Sequence, residues 1–149
     1  MLILVRGVPG SGKTTFVKTT FPNEFTFSKI NGNGKYIHLE ADMYFIDNKG
    51  NYNWSPQYIK EAYRWCTDTA RIMMNNNVNV IVSNTFTTLK EMQPYIDHAK
   101  LLGIDIWVYR MMGQFTSVHN VPDDVIVKMK NRFENYEDEI FYGANIHEV

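Results

Sequence analysis

The chain has 149 residues, of which 44% are hydrophobic, 14% aromatic and 21% charged, with a formal net charge of −1. This composition excludes a disordered or collagen-like chain, and the near-neutral charge argues against holding nucleic acid by bulk positive charge. The length sets the expectation of one domain over residues 1–149, long enough to bury roughly 70% of its unfolded surface without disulfides or structural metals.

Cys66 is the only cysteine and suits a reducing compartment. No apolar run approaches the ~20 residues of a membrane-spanning helix. A cytoplasmic protein with no membrane partner is the expectation. An asparagine bias, including Asn75-Asn76-Asn77, is the kind that A/T-rich phage genomes produce.

Residues 1–5 are a short continuous apolar run, the pattern of a strand buried on both faces. A glycine-rich turn follows, and Lys13–Thr20 reads as a helix stopped by Phe21-Pro22-Asn23. Residues 24–35 are turn-rich, with Asn31-Gly32-Asn33-Gly34 a loop signal. Tyr36–Leu39 reads as a second strand. Ser55 and Pro56 open a longer helix, in which Ile59, Ala62, Tyr63, Cys66, Ala70 and Met73 share one face until the three asparagines end it. Residues 78–82 are a third strand, Leu89–Leu101 a helix ended by Gly103, and residues 104–109 a fourth strand. Pro122-Asp123-Asp124 opens a last helix, since proline and acids suit a first turn.

Strands alternating with helices imply an α/β fold with a parallel sheet of about four to five strands flanked by helices. Ligands of such sheets bind at the C-terminal strand ends, so the chemistry belongs after Val5, Leu39, Val82 and Tyr109.

Residues 7–14, Gly-Val-Pro-Gly-Ser-Gly-Lys-Thr, match the phosphate-loop pattern G-x-x-x-x-G-K-[ST] between a strand and a helix. Glycines permit positive φ and close backbone approach, so successive N–H groups can form an anion nest at the helix N-terminus. Gly7, Pro9, Gly10, Ser11, Gly12, Lys13, Thr14 and Thr15 are the expected nucleotide contacts. Lys13 is expected on the β/γ-phosphates and Thr14 on Mg²⁺. The alternative, a chance glycine-rich turn, is disfavoured by the strand and helix that flank it. Arg6 suits a structural ion pair better than a phosphate.

After the second strand, Asp42 can accept a hydroxyl proton as general base. On position alone, an N-capping or surface aspartate is an equal reading. Glu40 and Asp47 are weaker candidates for the general-base role and read rather as solvated. The third strand ends in Ser83-Asn84-Thr85, with no acid for the metal, so Ser83 or Asn84 is the candidate to hold a metal-bound water, with Asn84 taken as the metal-side residue. After the fourth strand, Arg110 is the only cation before the last helix, which carries Arg132. Both are candidates for the cationic stabilisation that a transferring phosphoryl group needs, with an adenine-side contact or a plain surface position the alternatives for Arg132. Tyr63, Trp65 and Cys66 read as core, His38, His98, His119 and His147 show no metal spacing, and residues 134–139 read as a solvated helix end.

The ordered motifs resemble those of the polynucleotide-kinase-like P-loop kinases of the AAA/zeta-toxin-type group. The likeness is greatest to the kinase-like domain of Nedd4-type ubiquitin-ligase-binding proteins and their phage and bacterial relatives. They are Arg6 with the phosphate loop, Glu40-Ala41-Asp42-Met43-Tyr44-Phe45, Gly50-Asn51-Tyr52, Glu61-Ala62-Tyr63-Arg64-Trp65-Cys66, Ser83-Asn84-Thr85-Phe86-Thr87, Glu91-Met92-Gln93-Pro94-Tyr95 and Val121-Pro122.

The resemblance implies a P-loop kinase fold and phosphorylation of a hydroxyl on a nucleic-acid end, nucleotide or modified base, with ATP and Mg²⁺. By position it makes Lys13 and Thr14 the ATP and metal residues and Asp42 the general base. Asn84 stands where the phage-type kinase has an aspartate near the reacting phosphate. Phe45 replaces an acceptor-orienting arginine, and Phe115-Thr116-Ser117 fill the place of lid arginines. Two alternatives follow from these departures: a nucleotide-regulated binding protein with little transfer activity, and a slow NTP hydrolase.

Overall fold

A computed structural model of the chain describes residues 1–21, 24–26, 36–113 and 121–143. The loop expected at residues 31–34, the lid positions 115–117, His119 and His147 lie outside the described residues.

Six parallel strands form one sheet in the order β2-β3-β4-β1-β5-β6: β1 Leu2–Arg6, β2 Glu24–Thr26, β3 Tyr36–Leu39, β4 Asn79–Asn84, β5 Ile106–Met111 and β6 Ile140–Tyr142. The four strands expected from the sequence form the centre of this sheet. The other two are three-residue edge strands, too short to show a hydrophobic period. β2 falls in the stretch read as turns, and β6 follows the supposed helix end. Among the described residues four helices accompany the sheet: α1 Lys13–Thr20, α2 Ile59–Asn75, α3 Leu89–Leu101 and α4 Asp123–Arg132.

β1 sits between β4 and β5 and is buried along its whole length. Its side chains alternate between two cores, as the period of a strand requires. Leu2 and Leu4 join Ile37, Val80, Val82, Ala62, Cys66, Ala70, Met92, Tyr95 and Ala99 under α2 and α3. Ile3 and Val5 join Phe16, Val17, Ile81 and Met111 under α1. The strand is apolar throughout because both of its faces are covered.

The helix stops follow from local chemistry. Asn77 takes φ +62° after α2, and Val78 N–H donates to Met73 O at 3.0 Å. Gly103 takes φ +68° after α3, and Ile104 N–H donates to Ala99 O at 2.8 Å. Both are left-handed closures that satisfy carbonyls the helix leaves open. Pro56–Tyr58 forms a separate 3₁₀ turn, so Ser55 precedes that turn and α2 begins only at Ile59. Among the described residues no helix is long and apolar enough to cross a membrane.

Candidate functional site: a phosphate loop facing two carboxylates

The loop between β1 and α1 contains three glycines at positive φ: Gly7 at +156°, Gly10 at +78° and Gly12 at +99°. At Gly7 the constraint is also steric, because a Cβ there would collide with Ser11 Oγ and stand 3.0 Å from Met111 O. Gly12 precedes α1 without a capping side chain, and the first turn holds no acid. The opening N–H groups of α1 therefore carry the helix's positive end with no internal carboxylate to neutralise it. Ser11 differs from its expected role: its side chain is buried, its N–H donates to Val8 O at 3.1 Å and its carbonyl accepts from Gly113 N–H at 3.2 Å. It stitches the loop together.

Lys13 Nζ spans the loop, donating to Gly7 O at 2.9 Å and Val8 O at 3.1 Å. Burial lowers its pKa to about 8, against the opposing attraction of Glu40 and Asp42. Thr14 Oγ1 donates to Glu40 Oε1 at 2.9 Å. His38 Nε2 stands 3.3 Å from the same carboxylate oxygen and 2.9 Å from Ser83 Oγ. Burial pushes the Glu40 carboxyl up, but His38, the Thr14 hydroxyl and Lys13 together outweigh it and leave the pKa below the usual value. Glu40 is thus an ionised group of the site. The expectation that it is solvated is overturned.

Asp42 lies on a 3₁₀ turn, Ala41–Phe45, directly after β3. Buried Asn84, at the end of β4, fixes that turn: its Oδ1 accepts from Ala41 N–H at 2.9 Å, and its Nδ2 lies 3.8 Å from Cys66 Sγ. The carbonyl expected to hold a metal-bound water is used here to position the Asp42 turn. Tyr52 Oη makes a long 3.4 Å contact with Asp42 Oδ1, and burial together with that carboxylate raises the phenol to about 12. Asp47 closes the following loop by accepting from the N–H groups of Asn51 at 2.8 Å and Lys49 at 2.9 Å.

These groups meet in a cleft of about 860 Å³. Pro9, Gly10, Gly12, Lys13, Thr14 and Thr15 line it from the loop and α1, Glu40 and Asp42 from the end of β3, and Ser83, Asn84 and Thr85 from β4. Tyr52, Trp54 and Tyr63 add aromatic surface, and Val121, Pro122, Val125 and Met129 complete it from α4 and the residues before it. Tyr63, expected in the core, is 41% exposed on the cleft. Cys66 is fully buried, and burial raises its thiol to about 11, consistent with an inert core position.

The two candidate arginines are not among the lining residues. Arg110 Nη1 donates to Glu139 Oε1 at 3.0 Å and Asn135 Oδ1 at 2.6 Å, with its guanidinium 4.4 Å from the Phe133 ring centre. Arg6 Nη1 reaches Glu139 Oε2 at 2.7 Å, and its Nε and Nη2 donate to Phe86 O. Glu139, only 2% exposed, therefore holds one arginine on each oxygen. Within the stretch read as a solvated helix end, Glu134, Asn135, Glu137 and Asp138 are exposed, but the Glu139 carboxylate is a buried clamp joining β1, β5 and the segment before β6. Glu134 adds to it by accepting from Leu89 N–H at 2.7 Å at the start of α3. Arg132 makes only a long 3.4 Å contact with Thr87 Oγ1.

Sequence reasoning ranked Glu40 too low and did not place Tyr52, Trp54 and Tyr63 on the cleft. A signal for Glu40 was present, because His38 and Glu40 are two residues apart in extended chain and share one side of it.

A family model described as AAA domain matches residues 2–111. An uncharacterised protein of Pasteurella multocida is 27% identical over 142 residues, covering 86% of this chain and 73% of the relative. Human NEDD4-binding protein 2 is 32% identical over 97 residues, which cover 64% of this chain but 5% of the human protein. Among solved structures, Chaetomium thermophilum Kti12 in complex with ADP-AlF3 is similar with a TM-score of 0.65 at 13% identity, over 96% of this chain and 89% of that one. The Pnkp1/Rnl/Hen1 complex is similar with a TM-score of 0.55 at 21% identity, over 85% of this chain and 38% of that one. The chain belongs to the AAA domain family.

Proposed function

We propose that this protein is an ATP-dependent phosphotransferase that moves the γ-phosphoryl group to a hydroxyl of a nucleic-acid end, nucleotide or modified base. The observation that carries the reading is the convergence of the phosphate loop with two carboxylates, Glu40 and Asp42, in one cleft. A nucleotide-binding reading is also supported by the Kti12 likeness, since that structure is a complex with ADP-AlF3.

In this reading the loop N–H groups and Lys13 hold the triphosphate. Thr14 and Glu40, whose oxygens are 2.9 Å apart, fit the hard-oxygen preference of Mg²⁺. When bound, Mg²⁺ would screen the charge of the β- and γ-phosphates. Asp42 accepts the proton of the acceptor hydroxyl. That oxygen bonds to the γ-phosphorus as the bond to the β–γ bridging oxygen breaks, and ADP leaves with the bond's electron pair. Asn84 positions this base through the Ala41 amide.

The test is transfer of labelled γ-phosphate from ATP with Mg²⁺ to a panel of 5′-hydroxyl oligonucleotides, nucleosides, nucleotides and DNA with hydroxymethylated bases. Label on an acceptor, lost in both Lys13→Met and Asp42→Asn, supports the reading; unchanged turnover in Asp42→Asn removes its role as base.

One observation favours a second reading, a nucleotide-regulated binding protein. Among the described residues no arginine lines the cleft, and Arg110 is committed to Glu139. Nucleotide binding without transfer to any acceptor, together with a partner affinity that changes with nucleotide, would support it.

A further inference from the structure

The cleft that holds Asp42 also carries open aromatic surface. Tyr52, Trp54 and Tyr63 line it with exposures of 41%, 53% and 41%. Large rings normally bury most of their surface, so three of them lining one cleft leave much apolar area to be covered by a ligand. Tyr52 Oη makes its long 3.4 Å contact with Asp42 Oδ1 from this cleft. Val125 and Met129 add apolar surface to the same cleft.

The charges point the same way. Among the described lining residues Lys13 is the only lysine or arginine, and it belongs to the phosphate loop; Glu40 and Asp42 are the only acids. An acceptor with its own phosphate near the reacting hydroxyl would bring negative charge towards two carboxylates, with no cation besides Lys13 among the described lining residues to receive it. A neutral ring system meets no such penalty, and every nucleobase has a face that can stack on an aromatic side chain.

Resting on the kinase reading above, we propose that the acceptor is a neutral nucleoside, a flat base carrying a sugar hydroxyl. Its base stacks on the aromatic surface of Tyr52, Trp54 and Tyr63, and its hydroxyl lies at Asp42. The site selects against nucleoside monophosphates and longer strands, whose phosphates have no partner on this surface.

The experiment compares adenosine, guanosine, cytidine and thymidine with their 3′-monophosphates and a 5′-hydroxyl oligonucleotide. Two readouts are taken: binding to the protein loaded with a non-hydrolysable ATP analogue, by calorimetry, and transfer of labelled γ-phosphate. At least one nucleoside is expected to bind and react at least tenfold better than its 3′-monophosphate. Trp54→Ala should weaken nucleoside binding about tenfold or more, with the affinity for the ATP analogue unchanged, and Trp54→Phe should restore most of it.

Preference for the 3′-monophosphate or the oligonucleotide, or nucleoside binding indifferent to Trp54→Ala, overturns the proposal while leaving a kinase. Nucleoside binding that depends on Trp54 but is followed by no transfer upholds the aromatic subsite and overturns the kinase reading instead. No binding of any nucleoside overturns the subsite outright.

Discussion

Thr14 Oγ1 and Glu40 Oε1 are 2.9 Å apart, joining the first turn of α1 to the end of β3 across the mouth of the phosphate loop. β4 ends in Ser83 and Asn84, so it supplies no carboxylate to a metal near the loop. In the proposed reading Glu40, just after the neighbouring strand β3, would supply one, and His38, Thr14 and Lys13 keep it ionised. Glu40→Gln should weaken affinity for Mg²⁺-ATP about tenfold or more, the usual scale for losing a group that orients a metal site. Metal-free ATP should bind as well or better, because a negative charge near the phosphates is gone. Titrating ATP with and without Mg²⁺ measures both, and equal losses in the two conditions would refute a metal-side role.

Lys13 makes nucleotide binding depend on pH. With its pKa near 8, it is about half protonated in the free protein at pH 8. A bound triphosphate stabilises the ammonium and raises that pKa, so binding takes up a proton. Uptake should be about half a proton at pH 8 and close to none at pH 6.5, and affinity should decline as pH rises above 8. Calorimetry in buffers of different ionisation enthalpy reads this directly; no uptake at pH 8 would mean that Lys13 stays fully charged in the free protein.

Asn84 acts on Asp42 through the backbone. Its carbonyl is the partner of the Ala41 amide at 2.9 Å, one residue before Asp42, and the pair is buried. Asn84→Ala leaves that N–H unsatisfied, a loss of about 1–3 kcal/mol in chemical denaturation. It also loosens the turn, so kcat should fall by more than the KM for ATP changes. A fall in stability with kcat unchanged would confine Asn84 to folding.

The sequence made some of this legible. The phosphate loop could be read because glycine, lysine and threonine at fixed spacing carry their meaning locally, and β1 because burial on both faces removes every polar residue but Arg6. The Asp42 turn was found at the strand end where a parallel sheet presents its ligands. Glu139 was not found, because it stands 133 residues from Arg6 in the chain, and only the closed fold shows that its carboxylate is buried between two guanidiniums. β6 was hidden for a related reason. Its three residues are exposed, so their strand state comes from pairing with β5 and leaves no apolar alternation to read. Tyr63 keeps the spacing of the α2 core face, yet it lies at the rim of that face, where helical periodicity alone does not separate core from cleft.

The clamp around Glu139 separates a structural arginine from a catalytic one. An arginine that stabilises a transferring phosphoryl group contributes about 10³–10⁵ in rate. Arg110 instead spends its guanidinium on Glu139, Asn135 and the Phe133 ring, away from the cleft. Arg110→Gln should therefore lower stability while leaving ATP affinity and transfer rate within about twofold, far from the loss a transition-state arginine would give. Glu139→Gln should be the more damaging change, because it leaves Arg6, fully buried, and Arg110 facing each other without a counter-charge. Breaking a buried pair in this way costs about 3–5 kcal/mol, read as a shift in the denaturant midpoint. A transfer rate that collapses in Arg110→Gln while the fold stays intact would instead place that guanidinium on the reacting phosphate and require the clamp to open during turnover.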